Sequence, residues 1–247
     1  GAISRKKGEA LSRAAYAEAA SSYPERVIAD IWERYERILA REHALDFDDL
    51  LFSALGLLRS EREVLTLYHE RFLYLHIDEY QDTNRVQYEL SRLLAARERN
   101  ICVVGDSDQS IYSWRGADLR NLLDFERDYP DARVVLLEEN YRSTKTILAA
   151  ANDVIKKNRL RKDKTLYTRN ADGERIGISS CYDEQHEARF VTEIARALIE
   201  GGTASDEIAV LYRTNFQSRA LEEAFLDAGV PYQVVGVRFF ERKEVKD

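Results

Sequence analysis

An α/β fold, with a parallel sheet covered by helices, follows from three features of the sequence. Phe72–Ile77, Ile101–Val104 and Val134–Leu137 are unbroken apolar runs of strand length. Each ends on polar groups: Asp78-Glu79, Gly105-Asp106 and Glu138-Glu139-Asn140. Helical patterns lie between them, at Val86–Arg97 and Leu119–Arg127. Strands that are apolar on both faces and alternate with helices belong to parallel sheets buried on both sides. In such sheets ligands bind outside the carboxyl ends of the strands, where all three polar groups fall.

The elements can be justified in order. Ile3–Ser22 is rich in Ala, Lys, Arg and Glu and suits a surface helical segment. From Glu25 to Ala40, Val27, Ile28, Ile31, Trp32, Tyr35, Ile38 and Leu39 recur at helical spacing and form one apolar stripe. Asp46 reads as an N-cap with Asp49 three residues on, and Leu50, Leu51, Ala54, Leu55 and Leu58 line one face of the helix it opens. These helices are scaffold. Beyond the third strand, Ser143 or Thr144 can cap a helix running to about Asn158. A basic segment follows (Lys156, Lys157, Arg159, Arg161, Lys162 and Lys164), which reads as a solvated charge run and is kept out of the site. A second strand–helix alternation comes next: strands near Ile176–Cys181, Ile208–Tyr212 and Tyr232–Val235, with helices near Glu187–Glu200 and Gln217–Asp227 and Gly229 as a stop. Glu241–Asp247 is charged and helix-like.

Composition narrows the class. The 247 residues fit one large or two ordinary domains, and 45% hydrophobic with 33% charged residues is too apolar for a disordered chain. No apolar run approaches the roughly 18 residues of a membrane span, and no secretory leader opens the chain. Two cysteines, Cys102 and Cys181, are too few for a disulfide framework, so a cytoplasmic setting is expected. The net charge of −7 argues against a bulk polycation but leaves local basic patches open. There is no methionine and the chain begins Gly1-Ala2, so an internal fragment is expected, or modified methionines are missing from the written sequence.

An Asp-Glu pair after a strand can hold Mg²⁺ on the β and γ phosphates of a nucleotide with the first carboxylate, and deprotonate the attacking water with the second. Adjacent residues at a strand end diverge, which allows two such roles. The pair by itself reads more readily as a helix cap. The longer string His76-Ile77-Asp78-Glu79-Tyr80-Gln81-Asp82-Thr83-Asn84 is far more specific and resembles the Walker B motif of the UvrD/Rep/PcrA-type superfamily-one DNA helicases. Val104–Asp118, reading VGDSDQSIYSWRGAD, is similar to motif III of that family, and Leu137–Thr144, reading LEENYRST, to motif IV. Val210–Asn215 and Phe239–Glu244 resemble stretches of the second motor domain. The matches run in family order from about Leu45 to the C-terminus.

The resemblance implies a RecA-like fold in parts: residues 1–44 as the end of an inserted helical subdomain, 45–138 as a partial first motor domain, and 139–247 as a partial second one. It assigns Asp78 to Mg²⁺, through water, and Glu79 as the general base. Gln109 becomes the γ-phosphate sensor, since a neutral amide can accept from a water or donate to a phosphate. Tyr141 is similar to the residue that stacks on adenine, and Arg142 to the arginine that completes the site across the cleft, where a planar, permanently charged fork suits a phosphoryl group gaining charge.

On an extended segment Tyr112 and Trp114 project the same way, with Arg115 beside them. Rings in a cationic setting suit single-stranded DNA, where stacking contributes about 1–3 kcal/mol per base without selecting sequence. Arg213 and Asn215 alternate at a strand end, where family members hold the DNA backbone.

ATP, Mg²⁺, single-stranded DNA and duplex/single-strand junctions are the implied cofactors and partners. The implied activity is an ATP hydrolase that unwinds DNA, in repair or replication restart. Two alternatives stand beside it: a non-hydrolysing helicase-like DNA- or protein-binding module, and the motor part of a helicase–nuclease. No Gly-x-x-x-x-Gly-Lys-Ser/Thr loop occurs and the family's later motifs are absent, so this chain alone is expected to be inactive, with the enzyme in the intact parent. Val235-Gly236-Val237-Arg238 departs from the paired glycines common in relatives.

Overall fold

Reciprocal caps set the starts of three helices. Ser22 accepts the Glu25 N–H while the Glu25 carboxylate takes the Ser22 N–H at 2.8 Å, opening helix α3 (Tyr23–Arg41). Asp46 and Asp49 exchange the same bonds at α4 (Phe47–Ser60), and Asn84 and Gln87 at α6 (Arg85–Ala95). The cap predicted at Asp46 is therefore where the helix begins.

The computed structural model describes residues 1–158, 161 and 164–235. These pack as two units that divide after Glu174.

In the first unit, α1 (Ala2–Gly8) and α2 (Arg13–Ala19) lie against α3, with Trp32 almost fully buried and its ring 5.7 Å from that of Tyr16. Lys7 of α1 is buried, and its ammonium meets Asp46 at 2.8 Å and Asp49 at 2.5 Å. Tyr35 donates a third bond to Asp46 at 2.9 Å. Burial pulls the Lys7 pKa down, but the two carboxylates outweigh it and leave the group above its ordinary value. This cluster ties α1 and α3 to the start of α4. Helix α4 then packs on α6, and α5 (Arg62–Arg71) connects to the sheet.

The sheet has two parallel strands, β1 (Leu75–Ile77) and β2 (Ile101–Val103), in the register Leu75–Ile101, His76–Cys102 and Ile77–Val103. Beneath them Tyr80 is buried edge-on against Phe125, 5.9 Å between centroids, and Phe125 stacks on Tyr129. The pattern predicted over Leu119–Arg127 resolves into two short helices, α7 (Arg120–Leu123) and α8 (Phe125–Asp128). The buried Asn121 amide anchors α7 on the Thr83 carbonyl at 3.0 Å. Helix α9 (Lys145–Ile155) follows with Thr144 as its N-cap residue.

The second unit pairs α10 (Glu184–Glu200) with α11 (Ser218–Asp227) around Ala195, Phe225 and Val230. Gly229, at φ +65°, ends α11 as predicted.

The predicted strands at Val134–Leu137, Ile176–Cys181, Ile208–Tyr212 and Tyr232–Val235 do not form ladders. Apolar character gives a segment the tendency to be a strand, but a strand exists only where backbone N–H and C=O groups find a neighbour. Beyond β1 and β2 the described residues offer one isolated parallel bridge, Glu139 with Tyr167, so Leu137 and Leu211 stay largely exposed. For the same reason β1 and β2 are only half-buried rather than covered on both faces. The Phe239–Glu244 match, the Gly236–Arg238 departure and the helix expected at Glu241–Asp247 lie outside the described residues.

Candidate functional site

The carboxyl ends of β1 and β2 carry one continuous hydrogen-bonded chain. Asp78 is exposed, and its Oδ1 accepts the Glu79 N–H at 2.9 Å. Glu79 takes a left-handed backbone conformation, φ +49° and ψ +42°, which costs a residue with a side chain about 1–2 kcal/mol. Neighbouring bonds enforce it: Tyr80 N–H reaches the Val104 carbonyl at 2.9 Å, and Asp82 N–H the Glu79 carbonyl at 2.9 Å. The divergence of Asp78 from Glu79 thus comes from this turn, past the end of the strand.

Gln81, 1% exposed, donates from Nε2 to Glu79 Oε2 at 2.7 Å and accepts the Asp106 N–H on Oε1 at 2.9 Å. Asp106 in turn accepts from Gln109 Nε2 at 2.8 Å. The chain therefore runs Asp78, Glu79, Gln81, Asp106, Gln109, and brings together the three residues that the sequence placed at this rim. A Cβ at Gly105 would lie 2.8 Å from Gln81 Oε1, so any side chain there would have to displace the bonded amide.

Charge shapes the same loop. Lys164 pairs with Asp106, and Arg161 with Asp108 at 3.3 Å, with side chains only 9% and 8% exposed in the second pair. The basic segment is thus not simply a solvated run: two of its cations are the counter-ions of this loop, while Lys156 pairs with Asp153 in solvent. Burial pushes the Asp106 pKa up, yet bonds from Lys164, Gln109 and the Asp108 N–H leave it below the usual carboxylate range. Asp82 moves the other way, raised by burial and by the charge of Glu79.

Asp78 is an exposed carboxylate at a strand end, and Mg²⁺ characteristically takes one or two carboxylates together with phosphates and waters, so this side chain would suit that ion.

Past Gln109 the chain forms a 3₁₀ turn at Ser113–Arg115, where an extended segment was predicted. The rings are nevertheless neighbours, 6.4 Å between the centroids of Tyr112 and Trp114. The Arg115 guanidinium lies over both, 4.7 Å from the Trp114 centroid and 5.2 Å from that of Tyr112. Gly116, at φ +94°, closes the turn.

Tyr141 and Arg142 are exposed on a turn built by Asn140, whose Oδ1 accepts the Arg142 N–H at 3.0 Å and the Ser143 N–H at 2.8 Å. Arg169 takes Glu139, at 3.0 Å, and Arg142 forms no ion pair with a described residue. The Tyr141 hydroxyl is raised above its ordinary pKa, first by its bond to Glu139. No hydrogen bond among the described residues joins either side chain to the Asp78–Gln109 chain. In the second unit, Arg213 and Asn215 are exposed on either side of Thr214, where Gln217 Oε1 accepts the Arg213 N–H at 3.1 Å and the Thr214 N–H at 2.9 Å.

Sequence reasoning missed Gln81 and Asp106 as structural members of the site. Both stand inside the quoted motifs, but burial and bonding, which no spacing reveals, are what mark them.

Two parallel β-strands deliver an acid pair and an amide to one rim, the place where open α/β sheets bind their ligands, and a cation–aromatic turn follows. The family comparisons are specific. Residues 1–130 match the UvrD/REP helicase N-terminal domain and residues 135–247 the UvrD-like helicase C-terminal domain, so the chain belongs to the UvrD/REP helicase family, whose domains imply a RecA-like α/β fold. It is 50% identical, over its whole length, to the ATP-dependent DNA helicase PcrA of Staphylococcus aureus, and 48% identical to that of Staphylococcus epidermidis. The chain spans 34% of the length of each of these relatives.

Proposed function

We propose that this chain supplies the acid, sensor and DNA-facing part of an ATP-dependent DNA helicase. Residues 45–138 contribute to a first RecA-like motor domain and 139–247 to a second, with residues 1–44 closing an inserted helical subdomain. The observation that carries the reading is the bonded chain from Asp78 to Gln109 across two strand ends, on which an acid pair and a phosphate-sensing amide share one hydrogen-bond system.

Asp78 would hold Mg²⁺ through water, and Mg²⁺ supplies neutralisation of the phosphate charge when bound. Glu79 accepts the proton of the attacking water, and Gln109 contacts the γ-phosphate. Tyr141 stacks on adenine and Arg142 stabilises charge on the transferred group. Tyr112, Trp114 and Arg115 grip single-stranded DNA by stacking and charge, and Arg213 with Asn215 holds its backbone. Hydrolysis would then be coupled to movement on the single strand and to opening of duplex junctions, in a repair setting within the cytoplasm. No helix among the described residues is long and apolar enough to cross a membrane.

The test is Glu79→Gln in the full-length protein that carries this chain. Nucleotide affinity should stay within about threefold while DNA-stimulated turnover falls by about 10²–10⁴, the range for loss of a general base. Turnover at the wild-type rate would remove Glu79 from the role.

A further inference from the structure

We propose that Gln81 is a positioning residue for Glu79, fixing the orientation of its carboxylate and tying it to the sensor loop. The inference rests on the reading of Glu79 as the base. Gln81 is too buried to meet a substrate, yet both polar ends of its side chain are spent on the site. Its partners also fix which way the amide lies. Turned over, it would oppose its NH₂ to the Asp106 N–H and its oxygen to the Glu79 carboxylate, two repulsive contacts in place of two bonds. One carboxylate oxygen of Glu79 is thereby held by a neutral donor, while Oε1 forms no hydrogen bond with a described residue and is the oxygen left to receive a proton.

The same amide holds the Asp106 backbone, and the Asp106 side chain holds Gln109. A displacement of Gln109 toward a phosphate therefore reaches Glu79 through two hydrogen-bonded residues. Glu79 needs this support more than a residue in relaxed backbone would, because its left-handed conformation gives no intrinsic preference for the observed geometry.

The test uses the full-length protein and steady-state, DNA-stimulated ATP hydrolysis. Gln81→Met keeps the side-chain length and removes both bonds; kcat should fall by about 10- to 100-fold while the KM for ATP stays within about threefold, as expected when a base is misplaced and the ground state is not. Gln81→Glu keeps an acceptor for the Asp106 N–H but loses the donor to Glu79, so kcat should fall as in Gln81→Met with the KM for ATP again within about threefold, a split that a purely structural role would not produce. Gly105→Ala crowds the same amide at Oε1 and should reproduce the kcat loss. Wild-type kcat in either Gln81→Met or Gln81→Glu, or a kcat loss matched by an equal rise in KM, would overturn the proposal. If Glu79→Gln abolishes turnover while these variants behave as wild type, only the role of Gln81 falls; if Glu79→Gln turns over normally, the base assignment itself has failed.

Discussion

Trp114→Ala offers the sharpest test of the DNA contact proposed for the Ser113–Arg115 turn. The ring is 62% exposed, and Arg115 lies over it at 4.7 Å, leaving one open face for one base. Stacking of a single base on an aromatic ring is worth about 1–3 kcal/mol, so the dissociation constant for oligo(dT) should rise by about 5- to 150-fold. Because the ring is on the surface and fills no core space, the unfolding midpoint should move little. Fluorescence anisotropy of a labelled oligonucleotide, repeated over a series of salt concentrations, separates stacking from charge. Trp114→Ala removes no cation, so the slope of log K against log salt should be unchanged. Arg115→Ala removes one cation, and if it neutralises one phosphate the slope should shrink by about 0.7. Affinity within twofold of wild type for Trp114→Ala, or a flattened salt slope in that variant, would refute the assignment of Trp114 to a base.

Lys7→Met should lower stability by about 2 kcal/mol, below the 3–5 kcal/mol of a fully buried pair because Asp46 and Asp49 keep partial solvent and the α4 N-terminus as compensation. That corresponds to about 4–8 °C in the melting of the unit that carries it. The Lys7 pKa is raised on folding, so its contribution is complete below its unfolded value near 10.4 and fades only as pH rises through the folded one. The Asp46 pKa is lowered, so that side of the pair is lost as pH falls below about 4. The stability difference between wild type and Lys7→Met should therefore be flat from about pH 5 to 9, and a difference that varies within that window would contradict the assignment. NMR titration of Glu25 should place its carboxyl at about 2, held down first by the Ser22 N–H and then by the Ser22 hydroxyl; a midpoint near 4.5 would mean that the cap is not formed in solution.

The site was legible to the extent that chemistry sits in adjacent letters. Asp78-Glu79 after an apolar run, Gln109 after Gly105-Asp106, and Tyr112 with Trp114 and Arg115 could all be named from pattern, and the structure joins the first three through hydrogen bonds and clusters the last three on one turn. The cap at Asp46 and the stop at Gly229 were equally plain, because each acts on its own neighbours in sequence. What could not be read depends on partners far along the chain. Val134–Leu137 has strand composition, yet a ladder needs an adjacent backbone that composition does not supply. Arg161 and Lys164 looked like any solvated basic run, since nothing near them in sequence announces Asp106 and Asp108. Gln81 was hidden for a related reason: its importance lies in its burial and in two hydrogen bonds, one of them to Asp106 in the loop after the following strand.

The pairing of Asp106 and Asp108 with Lys164 and Arg161 has a consequence for the order of assembly on the ribosome. The cations are synthesised roughly sixty residues after the acids, a lag of about 3–12 s at ordinary elongation rates. During that interval β1, β2 and the buried Gln81 bridge can already be in place, while Asp106 and Asp108 lack the cations that pair with them in the finished fold. The loop that holds Asp106 and Asp108 is then the last part of this rim to settle, and translational pausing over the stretch that encodes residues 110–160 would lengthen its unsettled period without touching the rest of the sheet.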